Sequence, residues 1–164
     1  MTSINLAWDK NKQLFSFPVM ILKLSYRMPG SKENSLHLNT VIYVDTGSSI
    51  SSITDNEASK LGLDINKLPT EKTLGIGGLT ATRYAKDLTF IALSTNSPLQ
   101  AKLAKVAVLP SKVVVKREKN RGEYRETQNY EGNMLCLCGL DLLQYWHGKL
   151  VLDLDKMTGV IEIA

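Results

Sequence analysis

Short apolar segments separated by turn-forming residues dominate the hydrophobic pattern of this chain. They are rich in Val, Ile and Leu and are bounded by Gly, Pro, Ser, Asn or Asp, a pattern typical of β-strands. Strands of this length at close spacing predict an all-β fold, either a small barrel or a sandwich. The predicted strands are Leu14–Leu24, Leu36–Val44, Leu88–Leu93, Leu103–Leu109 and Lys149–Leu154.

Two short helices are predicted between these strands. Thr54 and Glu57 have the spacing of a capping box, and Gly62 follows as a stop signal, so a helix is expected to begin after Thr54 and to end before Gly62. A second helix is expected to begin at Asp141, whose carboxylate suits a helix start. After it, the turn-forming group 155–159 separates two apolar stretches, which predicts a closing β-hairpin.

The segment 116–131 breaks the apolar pattern. It contains five basic and four acidic side chains and no aliphatic residue. Such a segment cannot bury enough apolar surface to offset the entropy lost on ordering it. We therefore predict a charged surface loop at about 116–131, with a substrate- or partner-binding arm as the alternative.

Length and charge exclude several classes of protein. The chain has 164 residues, which is about one domain, so a single domain over 1–164 is expected. Its net charge of +4 is modest and its basic residues are scattered, so no nucleic-acid partner is expected. The apolar stretch Leu14–Leu24 is about half the length that crosses a bilayer, so no membrane contact is expected. Because Lys23 interrupts this stretch and no cleavage pattern follows, we predict a strand rather than a signal peptide, and a cytoplasmic protein.

The cysteines and histidines predict neither a disulfide nor a metal site. Cys136 and Cys138 are two residues apart, so in a strand they point to opposite faces and cannot bond to each other. No zinc-type spacing accompanies them, and His37 and His147 are scattered positions that offer too few ligands. No metal and no other cofactor is predicted.

The chemistry is carried by the end of the strand that finishes at Val44. Asp45, Thr46 and Gly47 follow it directly, which places a carboxylate, a hydroxyl and a glycine at the end of an apolar strand. A D-T-G tripeptide can also form a plain turn, so alone it is a weak signal. Its weight comes from a Gly-rich segment at 74–79 and an apolar-apolar-Gly element at 137–139 that follow in the chain.

These three motifs, in this order, resemble those of the retropepsin-like aspartic proteases, the single-lobe relatives of pepsin that include retroviral proteases. Residues 44–49 (VDTGSS) resemble the catalytic loop, and 74–79 (LGIGGL) resemble the flap. Residues 137–143 (LCGLDLL) are similar to the element that closes the family fold and leads into its helix. The resemblance covers most of the chain. It implies a small closed β-barrel with one or two short helices, homodimeric, and an aspartic endopeptidase acting on an extended peptide or protein substrate.

The resemblance also implies roles for the residues of the D-T-G loop. Asp45 would be the catalytic carboxylate, Thr46 would donate its hydroxyl to the partner loop, and Gly47 would let the two loops approach closely. Ser48 is expected to hydrogen-bond the outer oxygen of Asp45, its alternative being a solvent-facing turn serine.

The flap is expected to supply the remaining substrate contacts. Gly75, Gly77 and Gly78 would let a hairpin tip with Ile76 at its end move and bind an extended peptide through its amides. An ordinary Gly-rich turn is the alternative for this segment.

The number of D-T-G-type loops predicts the quaternary structure. Amide hydrolysis needs a base and an acid, and two carboxylates sharing one proton supply both. No aspartate other than Asp45 is followed by Ser or Thr and then Gly, so one chain carries half a site. A two-fold homodimer would supply the second Asp45. The acidic residue and the arginine that pair near the retroviral dimer contact are Ser49 and Leu140 here, so that contact cannot be carried over.

A non-catalytic peptide-binding or dimerisation module is the alternative function. The intact D-T-G-S argues against it, because a scaffold gains nothing from a carboxylate at the most repulsive point of its own interface.

Overall fold

The protein is mostly β. The computed structural model describes residues 2–24, 35–75, 78–121 and 124–164. In chain order its elements are β1 (Thr2–Asp9), β2 (Leu14–Leu24), β3 (Ser35–Val44), β4 (Ser52–Thr54), α1 (Asp55–Lys60), a 3-10 turn (Ile65–Lys67), β5 (Thr70–Gly75), β6 (Gly78–Ala85), β7 (Leu88–Ala92), β8 (Leu99–Leu103), β9 (Val106–Leu109), β10 (Lys112–Arg121), β11 (Tyr124–Asn133), β12 (Leu137–Cys138), α2 (Leu140–Tyr145), β13 (Gly148–Asp153) and β14 (Thr158–Ile163).

The main sheet is open, so the prediction of a closed barrel is wrong. Among the described residues its strands pair in the order β13-β14-β1-β2-β3-β12-β4-β9-β6-β5, with β7 and β8 branching from β2. The branch arises because β2 shares one edge between two strands, pairing β1 at 14–16 and β7 at 19–23. Pro18, which has no N–H to donate to a ladder, lies where this edge changes partner.

The core follows the two-residue period of a strand. Phe15, Phe17, Val19 and Ile21 of β2 alternate toward the interior, and all four are buried. Leu142 and Leu143 of α2 belong to the same apolar cluster, as does Val44, the residue before the D-T-G motif. The D-T-G motif therefore begins directly after a residue of the core.

Both predicted helices form. Thr54 precedes α1, and its hydroxyl donates to the carboxylate of Glu57. Gly62 ends the helix region with φ of +66°, a left-handed conformation that glycine adopts without steric cost. α2 begins one residue before Asp141, and β13 and β14 form the predicted closing hairpin. None of the helices in the described ranges combines the length and the apolar character needed to cross a bilayer.

The prediction of one strand over Leu103–Leu109 is wrong. The chain leaves β8 at Leu103 and enters β9 at Val106, because β8 pairs β7 whereas β9 pairs β4 and β6. A local apolar pattern does not show that the two halves of a segment have different neighbours.

The described residues of the charged segment 116–131 lie in two paired strands where a surface loop was predicted, and residues 122 and 123 lie outside the described ranges. β10 and β11 pair with each other from Lys112↔Asn133 to Arg121↔Tyr124, in a two-stranded sheet separate from the main one. The antiparallel ladder pairs the backbone N–H and C=O groups that the two strands turn toward each other, which offsets part of the entropy lost on ordering the segment.

Candidate active site

The backbone of Asp45 is held at the end of a buried strand. The N–H of Asp45 donates to the carbonyl of Cys138 at 3.1 Å, and that of Tyr43 donates to the carbonyl of Cys136 at 2.9 Å. β12 thus runs parallel to the end of β3, with Cys138 paired to Val44. Val44 is buried, whereas Asp45 is half-buried, so the chain emerges from the core at the carboxylate.

A tight turn follows Asp45. The Gly47 N–H donates to Oδ1 of Asp45 at 2.9 Å, and the Ser48 N–H donates to the main-chain carbonyl of Asp45 at 3.2 Å. A Cβ atom at residue 47 would lie 3.2 Å from Oδ1 of Asp45, which is tighter than an ordinary contact. The lack of a side chain at Gly47 therefore leaves room for the hydrogen bond between its amide and the carboxylate of Asp45.

Thr46 is exposed beside an apolar groove. Within the described ranges its hydroxyl takes part in no hydrogen bond, so the group is free to bond another molecule. The groove is lined, besides Thr46, by Leu140, Leu143, Gln144, His147, Gly148 and Leu150. This surface lies between the D-T-G turn, α2 and the start of β13.

Ser48 does not make the predicted bond to the carboxylate. Its hydroxyl donates to the main-chain carbonyl of Ile50 at 2.7 Å, where the sequence predicted a bond to the outer oxygen of Asp45. The bond closes the turn onto itself, because Ile50 lies two residues further along the chain. In this chain Ser48 stabilises the shape of the loop.

The start of α2 lies directly against this loop. The N–H of Leu140 donates to the carbonyl of Ser48 at 2.9 Å, and the N–H of Asp141 donates to the carbonyl of Ser49 at 3.3 Å. Gly139 makes the approach possible, since a Cβ there would lie 2.6 Å from the carbonyl carbon of Ile50.

Two residues that hold this loop, Asp141 and Ser51, were not predicted as part of the site. Asp141 was predicted as a helix start and as part of the 137–143 element, and Ser51 was not singled out. The carboxylate of Asp141 accepts hydrogen bonds from both the main chain and the hydroxyl of Ser51. The two residues are 90 positions apart, so no local sequence pattern joins them.

The predicted flap is described only up to its tip. β5 and β6 pair as an antiparallel hairpin, with Gly75 opposite Gly78, whereas Ile76 and Gly77 lie outside the described residues. At its base the hairpin is joined to the main sheet by the pairing of β6 with β9. The ammonium of Lys105 lies 4.0 Å from the ring centroid of Tyr84 in β6, a cation–π contact that helps to hold this base.

The cysteines do not contribute a nucleophile to this region. Cys136 and Cys138 are both free and buried. Burial raises the pKa of Cys136 to about 11 and that of Cys138 to about 12, because the thiolate is poorly solvated there. Both thiols stay protonated at neutral pH. Across the described ranges no group of three or more His, Cys, Asp or Glu side chains could hold a metal ion.

Comparisons with known proteins address the fold. No protein-family model matches the chain, and no curated protein matches it. Its structure is similar to the crystal structure of a retropepsin-like aspartic protease from Rickettsia conorii, with a TM-score of 0.54 and 19% sequence identity. The similarity covers 98% of this chain and 92% of that chain. The protein therefore has a mostly β fold similar to that of a retropepsin-like aspartic protease.

Proposed function

We propose that this protein is an aspartic endopeptidase that hydrolyses peptide bonds with Asp45 and the Asp45 of a second copy. The observation that carries the proposal is the D-T-G turn at the end of β3, where Asp45 is half-buried and its Oδ1 accepts a bond from the Gly47 amide. The similarity in fold to a retropepsin-like aspartic protease supports the same assignment.

The reaction needs two carboxylates in different protonation states. The ionised one removes a proton from water as the oxygen attacks the carbonyl carbon of the substrate. The protonated one donates its proton to the carbonyl oxygen, which gives a tetrahedral diol. When the C–N bond breaks, the carboxyl that took the proton from water passes it to the departing nitrogen, and the other carboxylate takes a proton back from a diol hydroxyl. Two carboxylates close together share one proton because like charges disfavour the doubly ionised state.

A homodimer supplies the second carboxylate. Only Asp45 is followed by Ser or Thr and then Gly, so a complete site needs two chains related by a two-fold axis. The exposed Thr46, whose hydroxyl forms no bond within the described part of the chain, is free to reach the partner loop.

The surface beside Thr46 has the character of a contact between copies. Leu140, which lines the groove described above, is 37% exposed, and Tyr145 of α2 is 51% exposed. β13 ends the pairing order of the main sheet and carries the exposed side chains of Val151 and Leu152. Burying such apolar groups against a second copy would stabilise the dimer.

The substrate class follows from the shape of the proposed site. A peptide lying as a strand between the Asp45 loop and the β5–β6 hairpin would exchange main-chain hydrogen bonds with the protein. We propose that Ser48 and the flap residues Gly75, Ile76, Gly77 and Gly78 border this substrate.

Digestion of a diverse peptide library tests the proposal. The purified protein should cleave peptides internally over a range of pH, and the Asp45→Asn variant should be inactive because an amide cannot act as the base. Equal cleavage by the two proteins would indicate a contaminating protease. The absence of cleavage by the wild-type protein at every pH would favour the non-catalytic module.

A further inference from the structure

The proposed catalytic loop, defined from here on as residues 45–51, is held at both of its ends. At its start the N–H of Asp45 donates to the carbonyl of Cys138 at 3.1 Å. At its end the carbonyl of Ser51 accepts a bond from the N–H of Ala107 in β9 at 3.0 Å. The position of the Asp45 carboxylate therefore depends on how firmly these two anchors and the five residues between them are fixed.

Ser51 joins three parts of the chain at the end of this loop. Its side chain is fully buried, so each of its polar atoms needs a partner. The Ser51 hydroxyl accepts a bond from the N–H of Gly139 at 3.0 Å and donates to Oδ1 of Asp141 at 2.6 Å. β9, the segment after β12 and the start of α2 all meet at this residue.

Asp141 is the acceptor on which these bonds converge. Its Oδ1 lies 2.9 Å from the Ser51 nitrogen, and its Oδ2 lies 3.0 Å from the same nitrogen. Oδ1 also accepts a bond from the N–H of Leu142 at 2.7 Å. One carboxylate thus binds the catalytic loop on one side and the first turn of α2 on the other.

We propose that Asp141 is a positioning residue for the peptide hydrolysis proposed above. Its carboxylate fixes the end of the catalytic loop through Ser51, and thereby sets where each Asp45 meets the Asp45 of the second copy. The inference rests on the proposed function, since two carboxylates share a proton only while their separation is held.

The bond to Leu142 offers a simpler role, that of a cap for α2. The two roles can be separated because they use different partners of the same carboxylate. Ser51→Ala removes the hydroxyl that reaches Asp141 and leaves in place the bonds that the N–H groups of residue 51 and Leu142 donate to the carboxylate. Asp141→Ala removes all of these bonds, and Asp141→Asn keeps an oxygen at the position of Oδ1.

The experiment compares these three variants with the wild-type protein and with Asp64→Ala. Asp64 is a matched control, because its side chain accepts a bond from the Asn66 N–H at the 3-10 turn, away from the catalytic loop. Each protein is assayed below its unfolding temperature for kcat and KM across pH. Amide hydrogen exchange of Asp45 and Gly47 is followed by NMR without substrate.

We expect Asp141→Ala and Ser51→Ala to lower kcat by about tenfold or more with KM changed by less than about twofold, because the misplaced carboxylates act mainly in the chemical step. The two limbs of the pH profile should move closer together, since carboxylates held further apart interact less. The amides of Asp45 and Gly47 should exchange faster. Asp141→Asn should restore most of kcat, and Asp64→Ala should match the wild-type protein.

A purely structural role makes the opposite prediction. Activity lowered only in proportion to the folded fraction, with unchanged limbs and unchanged exchange, would overturn the positioning role. An Asp141→Asn variant as impaired as Asp141→Ala would overturn it as well. If the wild-type protein cleaves no peptide, the proposed function fails, and the exchange rates alone decide whether Asp141 fixes the loop.

Discussion

Mixing wild-type chains with Asp45→Asn chains tests whether two subunits share one active site. The variant should fold and pair, because the asparagine oxygen can still accept the 2.9 Å bond from the Gly47 amide. The amide also removes like-charge repulsion at the proposed contact. A dimer with one carboxylate should be almost inert, since it lacks the group that shares the proton.

The expected magnitude follows from one carboxylate per chain. When chains exchange freely and pair with equal affinity, the fraction of dimers with both carboxylates is the square of the wild-type fraction. An equal mixture should therefore retain about one quarter of the wild-type rate, against about one half if each chain carries a complete site.

The assay is the initial rate on a cleaved peptide at constant total protein, well above the dissociation constant. Native mass spectrometry verifies that the chains have exchanged. Asp87→Asn is the matched control: Asp87 lies on the exposed turn between β6 and β7 with φ of +55°, a conformation that asparagine also adopts. Mixtures with this control should show no loss. A rate that falls linearly with the fraction of Asp45→Asn would refute the shared site.

Three further changes test other parts of the structure. Gly139→Ala should destabilise the protein by about 1–3 kcal/mol in chemical denaturation, because its Cβ would meet the backbone of the catalytic loop. Gly132→Ala, where a Cβ would meet nothing within 4 Å, is the control, and equal losses would contradict the reasoning. Ser48→Ala should leave the acid limb of the pH profile in place, because the hydroxyl bonds a main-chain carbonyl; a shifted limb would restore its predicted contact with the catalytic carboxylate. The pKa of Asp9 is lowered mainly by the hydrogen bond from the Tyr43 hydroxyl and to a smaller extent by nearby backbone N–H groups. A carboxyl group whose pKa is lower in the folded state stabilises the protein at pH values above its unfolded-state pKa, and this stabilisation is lost as the pH falls through the folded-state pKa. Tyr43→Phe should therefore destabilise the protein near neutral pH and lose this effect below the lowered pKa, as measured by denaturation at both pH values; a loss independent of pH would exclude the linkage.

Local features of the chain were predictable where neighbouring residues determine them. The bounds of β2 match the prediction at both ends, because the polar and turn-forming residues on either side of the apolar run mark where the strand begins and ends. α1 begins after Thr54 and ends before Gly62, since capping and left-handed backbone are properties of a few adjacent residues. The D-T-G motif and its place after an apolar strand are likewise readable from the sequence alone.

Contacts between distant segments were decided only by the tertiary structure. β2 pairs with both β1 and β7, and no local pattern shows which strands share an edge. The bond from Ser48 to Ile50, in place of one to Asp45, depends on a loop shape that α2 enforces through its amides. Asp141 and Ser51 meet across 90 positions. Hydrogen bonds and packing act over a few ångströms in space, whatever the separation along the chain, so the sequence predicted the D-T-G motif while the fold determined which residues hold it in place.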